Sequence, residues 1–178
     1  MGLKRNDDIA TPKGEWGTPG LLFETISKEL GPFDVDLAAS DENTKCDLYF
    51  DKEQDSLKQN WKEFPKGFLN PDYGKGIIDM FMAKCVAETQ TSRNRVVALI
   101  PLAGAEKWFQ RYVMKCAEIR LIEGRVRYVG YYKNGQQIKQ SPSYSSCIAI
   151  FDKNLEQFGG RPVLGPTISQ KCRGRKVA

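Results

Sequence analysis

Apolar positions along this chain recur with two periods, and the points where the period changes divide it into elements. After a polar arm over residues 1–15, Trp16-Gly17-Thr18-Pro19 reads as a helix start. Thr18 is a good N-cap, and Pro19 suits the first helical position, where its missing N–H costs nothing. Leu22, Phe23, Ile26 and Leu30 then share one helical face, and Gly31-Pro32 ends it. Residues 33–37 alternate as a strand does and run into the small residues Ala38-Ala39-Ser40. Residues 52–60 are expected to be helical. Phe68-Leu69 is a short apolar run that breaks into Asn70-Pro71-Asp72-Tyr73-Gly74. Ile77, Ile78, Phe81, Met82, Cys85 and Val86 make the broad apolar face of a helix packed on a sheet. Val96 to Ile100 is continuously apolar, as in a strand covered on both faces. A helix with Trp108, Phe109, Tyr112, Val113 and Cys116 inward comes next, and then a strand over residues 119–122.

From Gly124 the texture changes. Residues 125–132 alternate basic and apolar or aromatic positions, Lys133-Asn134-Gly135 is a hairpin turn signal, and residues 136–140 can return. Residues 145–151 read as a last apolar strand, and 171–176 as a basic tail. Repeated alternation of strand and helix predicts an α/β domain with a mostly parallel sheet, right-handed crossovers, and a ligand cleft at the carboxyl ends of the strands. The stretches after Asp36 and Leu69 both fall at such ends.

Composition narrows the chemistry. The 178 residues, 40% hydrophobic, fit one globular domain, and no apolar run approaches a membrane span or a signal-peptide core, so a soluble, non-secreted protein is expected. Five cysteines without a C-x-x-C pair suggest reduced thiols rather than disulfides or zinc, and no metal is expected. With no histidine, Ser-His and Cys-His nucleophilic systems are excluded. The net charge of +5 is unevenly placed: residues 111–178 carry 13 Lys+Arg against 4 Asp+Glu, and residues 1–110 carry 14 against 18. A basic final third on an acidic body suits a polyanion, although solvated lysines alone produce the same count.

Asn70, Pro71 and Tyr73 bring an amide, a rigid carbonyl and an aromatic ring to one point, the parts needed to hold a planar amino-bearing heterocycle. The same residues also make an ordinary turn. Asp36 beside Ala38 offers an acceptor for an ammonium group or ribose hydroxyls, with room for a ligand, although the glycine-rich dinucleotide fingerprint is absent. Asp55 is a second such acceptor or an inert surface acid, and Trp16 a staple on the first helical turn or a wall for a flat ligand. Lys75, Arg125, Arg127 and Lys133 are candidate phosphate contacts, the last three on a ribbon whose tyrosines also suit any good hairpin.

Taken in order, Trp16-x-Thr18-Pro19, Asp34-Val35-Asp36-Leu37-Ala38-Ala39, Asn43-x-x-Cys46, Asp55-x-Leu57 with Trp61, Leu69-Asn70-Pro71-x-Tyr73-Gly74, Leu99-Ile100-Pro101, Trp108-Phe109 and Gly124-Arg125 resemble the phage-type DNA N6-adenine methyltransferases of the Dam family. The resemblance covers residues 16 to about 151. It implies a Rossmann-like, S-adenosylmethionine-dependent domain over residues 16–155. A basic hairpin over 124–142 would contact DNA, with a basic tail from 156. It implies that Trp16, Thr18, Pro19, Asp36, Ala38 and Asp55 surround the cofactor, and that Asn70, Pro71 and Tyr73 hold the target adenine. It also implies a phage or prophage origin and the cytoplasm of a bacterial host. Where the family pattern has a second proline this chain has Asp72, which leaves two expectations: an active enzyme, or a methyltransferase-like protein that binds DNA or cofactor with weakened turnover.

Overall fold

The structure, a computed structural model, describes residues 16–132, 136–153 and 163–170. The expected arm over residues 1–15, Lys133 with the turn 133–135, and the tail over 171–178 lie outside the described residues. In chain order the elements are α1 (Gly20–Leu30), β1 (Val35–Asp36), β2 (Lys66–Leu69), α2 (Ile77–Gln90), β3 (Arg95–Pro101), a π-helical turn (Phe109–Val113) running into α3 (Met114–Cys116), β4 (Ala117–Leu121), β5 (Tyr128–Tyr131), β6 (Gln137–Gln140), β7 (Ser146–Asp152) and β8 (Val163–Leu164).

A six-stranded sheet in the order β1-β2-β3-β7-β4-β8 forms the centre. β1, β2 and β3 run parallel, β7 lies antiparallel between β3 and β4, and β8 pairs parallel with β4. The largely parallel sheet of a mixed α/β domain is therefore as expected. The run over 145–151 is not the last strand, because β8 comes after it, and its antiparallel direction could not be read from an apolar run that fits either sense.

The continuous apolar texture of β3 has its cause in two cores. Val96, Ala98 and Ile100 face one side with Trp61, Phe81, Met82, Cys85 and Phe109, so α2 and the π-helical turn cover that face. Val97 and Leu99 face the other with Leu22, Ile26, Leu30 and Phe68, under α1. Phe23 is partly buried at the rim of this second core, its ring edge-on to Phe68 at 5.0 Å. Both layers are thus fed by alternate residues of the same strands.

Local readings fail at two places. Thr18 does not cap α1: the helix begins at Gly20 with Pro19 at its cap position, and the Phe23 amide donates to the Pro19 carbonyl at 3.0 Å. The helix expected over 52–60 is instead a set of turns with one short 3-10 segment, Ser56–Lys58, and a second, Trp61–Glu63, just after it. Its period is overridden by side-chain bonds and a backbone reversal. Asp55 takes a left-handed conformation (φ 49°), the Ser56 hydroxyl donates to the Leu37 carbonyl, and the buried Trp61 indole donates to the Ser56 carbonyl at 3.0 Å.

β5 and β6 pair antiparallel as a separate two-stranded sheet, with Tyr128 opposite Gln140. A bridge joins it to the main body: Gly17 and Val129 exchange backbone hydrogen bonds of 2.8 and 2.9 Å.

Candidate active site

Parallel strands β1 and β2 end side by side, with Asp36 opposite Phe68. Asn70 lies two residues beyond Phe68, so strand rise and spacing put its Cα about 8 Å from that of Asp36. Beyond each strand end the chain is shaped by its own hydrogen bonds.

Asp36 is only 3% exposed. Its carboxylate accepts from the Lys45 amide at 3.0 Å and, weakly, from the Ala38 amide at 3.5 Å, closing the loop that carries Ala38, Asn43 and Cys46 back over β1. Burial pushes its pKa up to about 7, against the lowering effect of those two amides and of the Lys45 charge. Asn43 on this loop caps the Ser40 amide at 2.9 Å, and its Cβ stands 3.3 Å from where a Cβ on Gly17 would be. A side chain at Gly17 would therefore crowd the loop where the Trp16–Pro19 segment passes it. Thr18, 2% exposed, has a buried hydroxyl with no hydrogen-bond partner among the described residues. An unsatisfied buried hydroxyl costs about 1–3 kcal/mol, which a polar ligand would recover. Asp55 is brought to this end by the Ser56–Leu37 bond, and its side chain is paired with Lys58 at 2.9 Å.

At the second strand end the Asn70 amide is held on both sides. Its Nδ2 donates to the Trp16 carbonyl at 3.0 Å, and its Oδ1 accepts from the Tyr73 hydroxyl at 2.7 Å. The Trp16 carbonyl fixes which way the amide faces, since the reverse orientation would set two acceptors against each other. Pro71 is buried, and its fixed φ leaves the backbone little freedom. Asp72 is half-buried and turns back on its own loop, its Oδ1 accepting from the Gly74 amide at 2.8 Å. Tyr73 is half-buried, with its ring edge-on to Tyr128 and Tyr144 at 6.2 and 6.1 Å. Its hydroxyl is the enclosed end, 2.8 Å from the Leu99 carbonyl and 3.0 Å from the Tyr128 hydroxyl, which is itself 3.1 Å from the Ser146 hydroxyl. Burial, with the neighbouring Tyr128, holds the Tyr73 hydroxyl well above its ordinary range, and burial pushes Tyr128 up to about 12. Both carry their protons at neutral pH.

Among the sequence candidates, the structure brings Trp16 to Asn70, with Thr18 and Pro19 following it in the chain, and Asp36 and Ala38 to the adjoining strand end. Asp55 adjoins Ser56, which is bonded to the Leu37 carbonyl. Lys75, Arg125 and Arg127 are exposed, and the two arginines alternate with buried Val126 and Tyr128 in the segment that leads into β5, which begins only at Tyr128. Lys133 lies outside the described residues. Missed by the sequence reading were Tyr128, Ser146 and the Leu99 carbonyl. Interleaved tyrosines hinted at Tyr128, but nothing local marks Ser146. Among the described residues there is no group of His, Cys, Asp and Glu arranged to hold a metal, and no helix long and apolar enough to cross a membrane.

A mixed α/β domain with a polar, proline-fixed corner at the carboxyl end of a parallel strand defines the class. Residues 8–173 match the family model described as DNA N-6-adenine-methyltransferase (Dam), and the chain belongs to that family. It is similar to the DNA N-6-adenine-methyltransferase of Escherichia phage T1, 32% identical over 108 residues that make up 61% of this chain and 44% of that protein. It is also similar to the DNA N-6-adenine-methyltransferase of Haemophilus phage HP1 (strain HP1c1), 26% identical over 118 residues, 66% of each chain. The matched part is thus less than half the length of the T1 protein.

Proposed function

We propose that this protein transfers a methyl group from S-adenosylmethionine to N6 of adenine in DNA, on a Rossmann-like domain whose basic ribbon contacts the duplex. The observation that carries this reading is the pairing of β1 with β2. It sets the acidic strand end at Asp36 and Ala38 next to the amide corner at Asn70.

The donor set fits the cofactor. The buried Asp36 carboxylate and the partnerless Thr18 hydroxyl are polar groups that a nucleoside with an ammonium-bearing side chain would satisfy, and Trp16, two residues before Thr18, is a candidate flat wall. When bound, S-adenosylmethionine supplies an electrophilic methyl group. The chain's own residues act on the base. Adenine N6 is a weak nucleophile because its lone pair is delocalised into the ring. Acceptors on both amino hydrogens favour the pyramidal, nucleophilic form. The free lone pair of Asn70 Oδ1 and the Pro71 carbonyl are those acceptors, and Tyr73 offers a ring for the extruded base. Leaving the helical stack costs a few kcal/mol, and stacking on an aromatic side chain returns about 1–3 kcal/mol.

Asp72 favours an active site over a weakened binding protein. Its carboxylate is occupied by the Gly74 amide and stiffens the loop much as a second proline would, leaving the Pro71 carbonyl undisturbed. The test is methyl transfer from labelled cofactor to duplex DNA. We expect labelled N6-methyladenine with the wild type and a loss of at least a hundredfold in Asn70→Ala. No labelled base across varied sequences would overturn the reading in favour of a binding protein.

A further inference from the structure

Proton counting gives the hydroxyl chain at Tyr73 a direction. Tyr73 has one proton, and two of its neighbours, Asn70 Oδ1 at 2.7 Å and the Leu99 carbonyl at 2.8 Å, can only accept. Its proton is therefore committed to one of these or shared between them. The contact with Tyr128 at 3.0 Å must then be donated by Tyr128, and the one between Tyr128 and Ser146 at 3.1 Å by Ser146. The chain reads Ser146 to Tyr128 to Tyr73 to Asn70 or Leu99. Tyr128 and Ser146 are buried, at 5% and 2% exposed, and lie on β5 and β7, so the chain ties the Asn70 corner to both sheets.

The two acceptors of Tyr73 are nearly equidistant, and they differ in one respect. Asn70 Oδ1 is the atom the proposed reaction needs for the substrate amine, whereas the Leu99 carbonyl has no such task. We propose that Tyr128 and Ser146 are positioning residues for base capture. They hold the Tyr73 oxygen between Asn70 and Leu99, so that its proton can rest on one lone pair of Asn70 Oδ1 while the other takes the adenine amine. Without the bond from Tyr128 the Tyr73 hydroxyl is free to move off this point, and the Asn70 amide, still held by the Trp16 carbonyl on Nδ2, loses its second anchor at Oδ1. The role rests on the methyltransferase reading given above, and it adds residues that touch neither base nor cofactor.

Tyr128→Phe removes one oxygen and keeps the ring packed against Tyr73. We expect kcat for methyl transfer to fall about tenfold with KM for DNA and cofactor within twofold of wild type. Tyr128→Phe with Tyr73→Phe should be no slower than Tyr73→Phe alone, because both act through the same oxygen. Ser146→Ala should show a smaller loss that Ser146→Thr restores. The double variant Tyr128→Phe, Ser146→Ala leaves no orphaned hydroxyl, and it should keep a thermal midpoint close to wild type and the low kcat. A second readout is independent of turnover: hydrogen exchange of the Asn70 side-chain amide by NMR, its signals assigned by their loss in Asn70→Ala. Exchange should be slow in the wild type and several-fold faster in Tyr128→Phe. Unchanged exchange and kcat in Tyr128→Phe, or additive losses with Tyr73→Phe, would overturn the positioning role. A wild type that methylates nothing would overturn the reaction instead, with the exchange measurement still deciding the hydroxyl chain.

Discussion

Asp36 carries a carboxylate to a place that water scarcely reaches, and its pKa near 7 makes it a quantitative probe of the proposed cofactor site. The folded-state value lies above the unfolded one of 3.8, so burial favours the protonated form. The stability associated with that proton is fully present below pH 3.8 and is lost as pH rises through about 7. At one pKa unit per 1.36 kcal/mol, the loss is roughly 4 kcal/mol at most. Asp36→Asn should therefore unfold at a higher temperature than wild type at pH 8, with the gain shrinking towards pH 5. A lower midpoint at pH 8 would show the ionised carboxylate to be stabilising. Binding should run the other way. An ammonium or ribose hydroxyl prefers the ionised carboxylate, so affinity for S-adenosylhomocysteine should climb up to tenfold per unit below pH 7 and level off above it. Calorimetry across that range checks this, and Asp36→Asn should flatten the profile.

The residues that were legible in the sequence and those that were not differ in where their partners lie. Asn70, Pro71 and Tyr73 are contiguous and make a recognisable corner, and Asp36 stands at the end of a visible strand. The partner of the Tyr73 hydroxyl, Tyr128, lies 55 residues further on, and that of Tyr128, Ser146, another 18, distances at which no local pattern operates. Thr18 shows the opposite error: a local rule for caps assigned its hydroxyl to the backbone, and the structure leaves it unpaired.

Among the elements, β1 and β2 decide whether the two strand ends stay in register. Gly67 is the close contact between them: a Cβ there would stand 2.5 Å from Leu37 Cδ1 and 3.0 Å from its Cγ. Leu37 is buried, so a shift of its side chain has to be made within the core. Gly67→Ala should accordingly cost about 1–3 kcal/mol, the usual penalty of overpacking. It should also weaken binding of the cofactor product, because Leu37 neighbours Asp36 and carries the carbonyl that holds Ser56. Shortening Leu37 to alanine in the same chain should return part of the lost stability, and a fully additive double variant would show that the two do not share the space. β3 was readable because cores on both sides demand apolar residues at every position. The direction of β7 was not, since parallel and antiparallel pairing bury the same side chains. The turns over 52–60 were hidden because the Ser56 bond to distant Leu37, with the Trp61 indole on the Ser56 carbonyl, outweighs a weak helical period.

For the molecule as a whole, the charge division becomes an oriented surface at β5. Arg125 and Arg127 are exposed in the segment that leads into β5, where Val126 and Tyr128 are buried, and β5 itself is bonded to Gly17 and, through Tyr128, to the Asn70 corner. A duplex phosphate drawn to these arginines would be close in chain connectivity to both halves of the proposed site, which is where a base must arrive. Each phosphate neutralised by the protein steepens the fall of log K with log salt by about 0.9. Arg125→Ala and Arg127→Ala should each make that slope shallower by about one and weaken binding to all sequences alike, because phosphate contacts carry no base information. Their thermal midpoints should stay near wild type, since both side chains are exposed. DNA titrations between about 50 and 200 mM salt provide the check. Slopes unchanged in both variants would move the duplex off this ribbon, and a loss confined to particular sequences would make the arginines readers of bases rather than of the backbone.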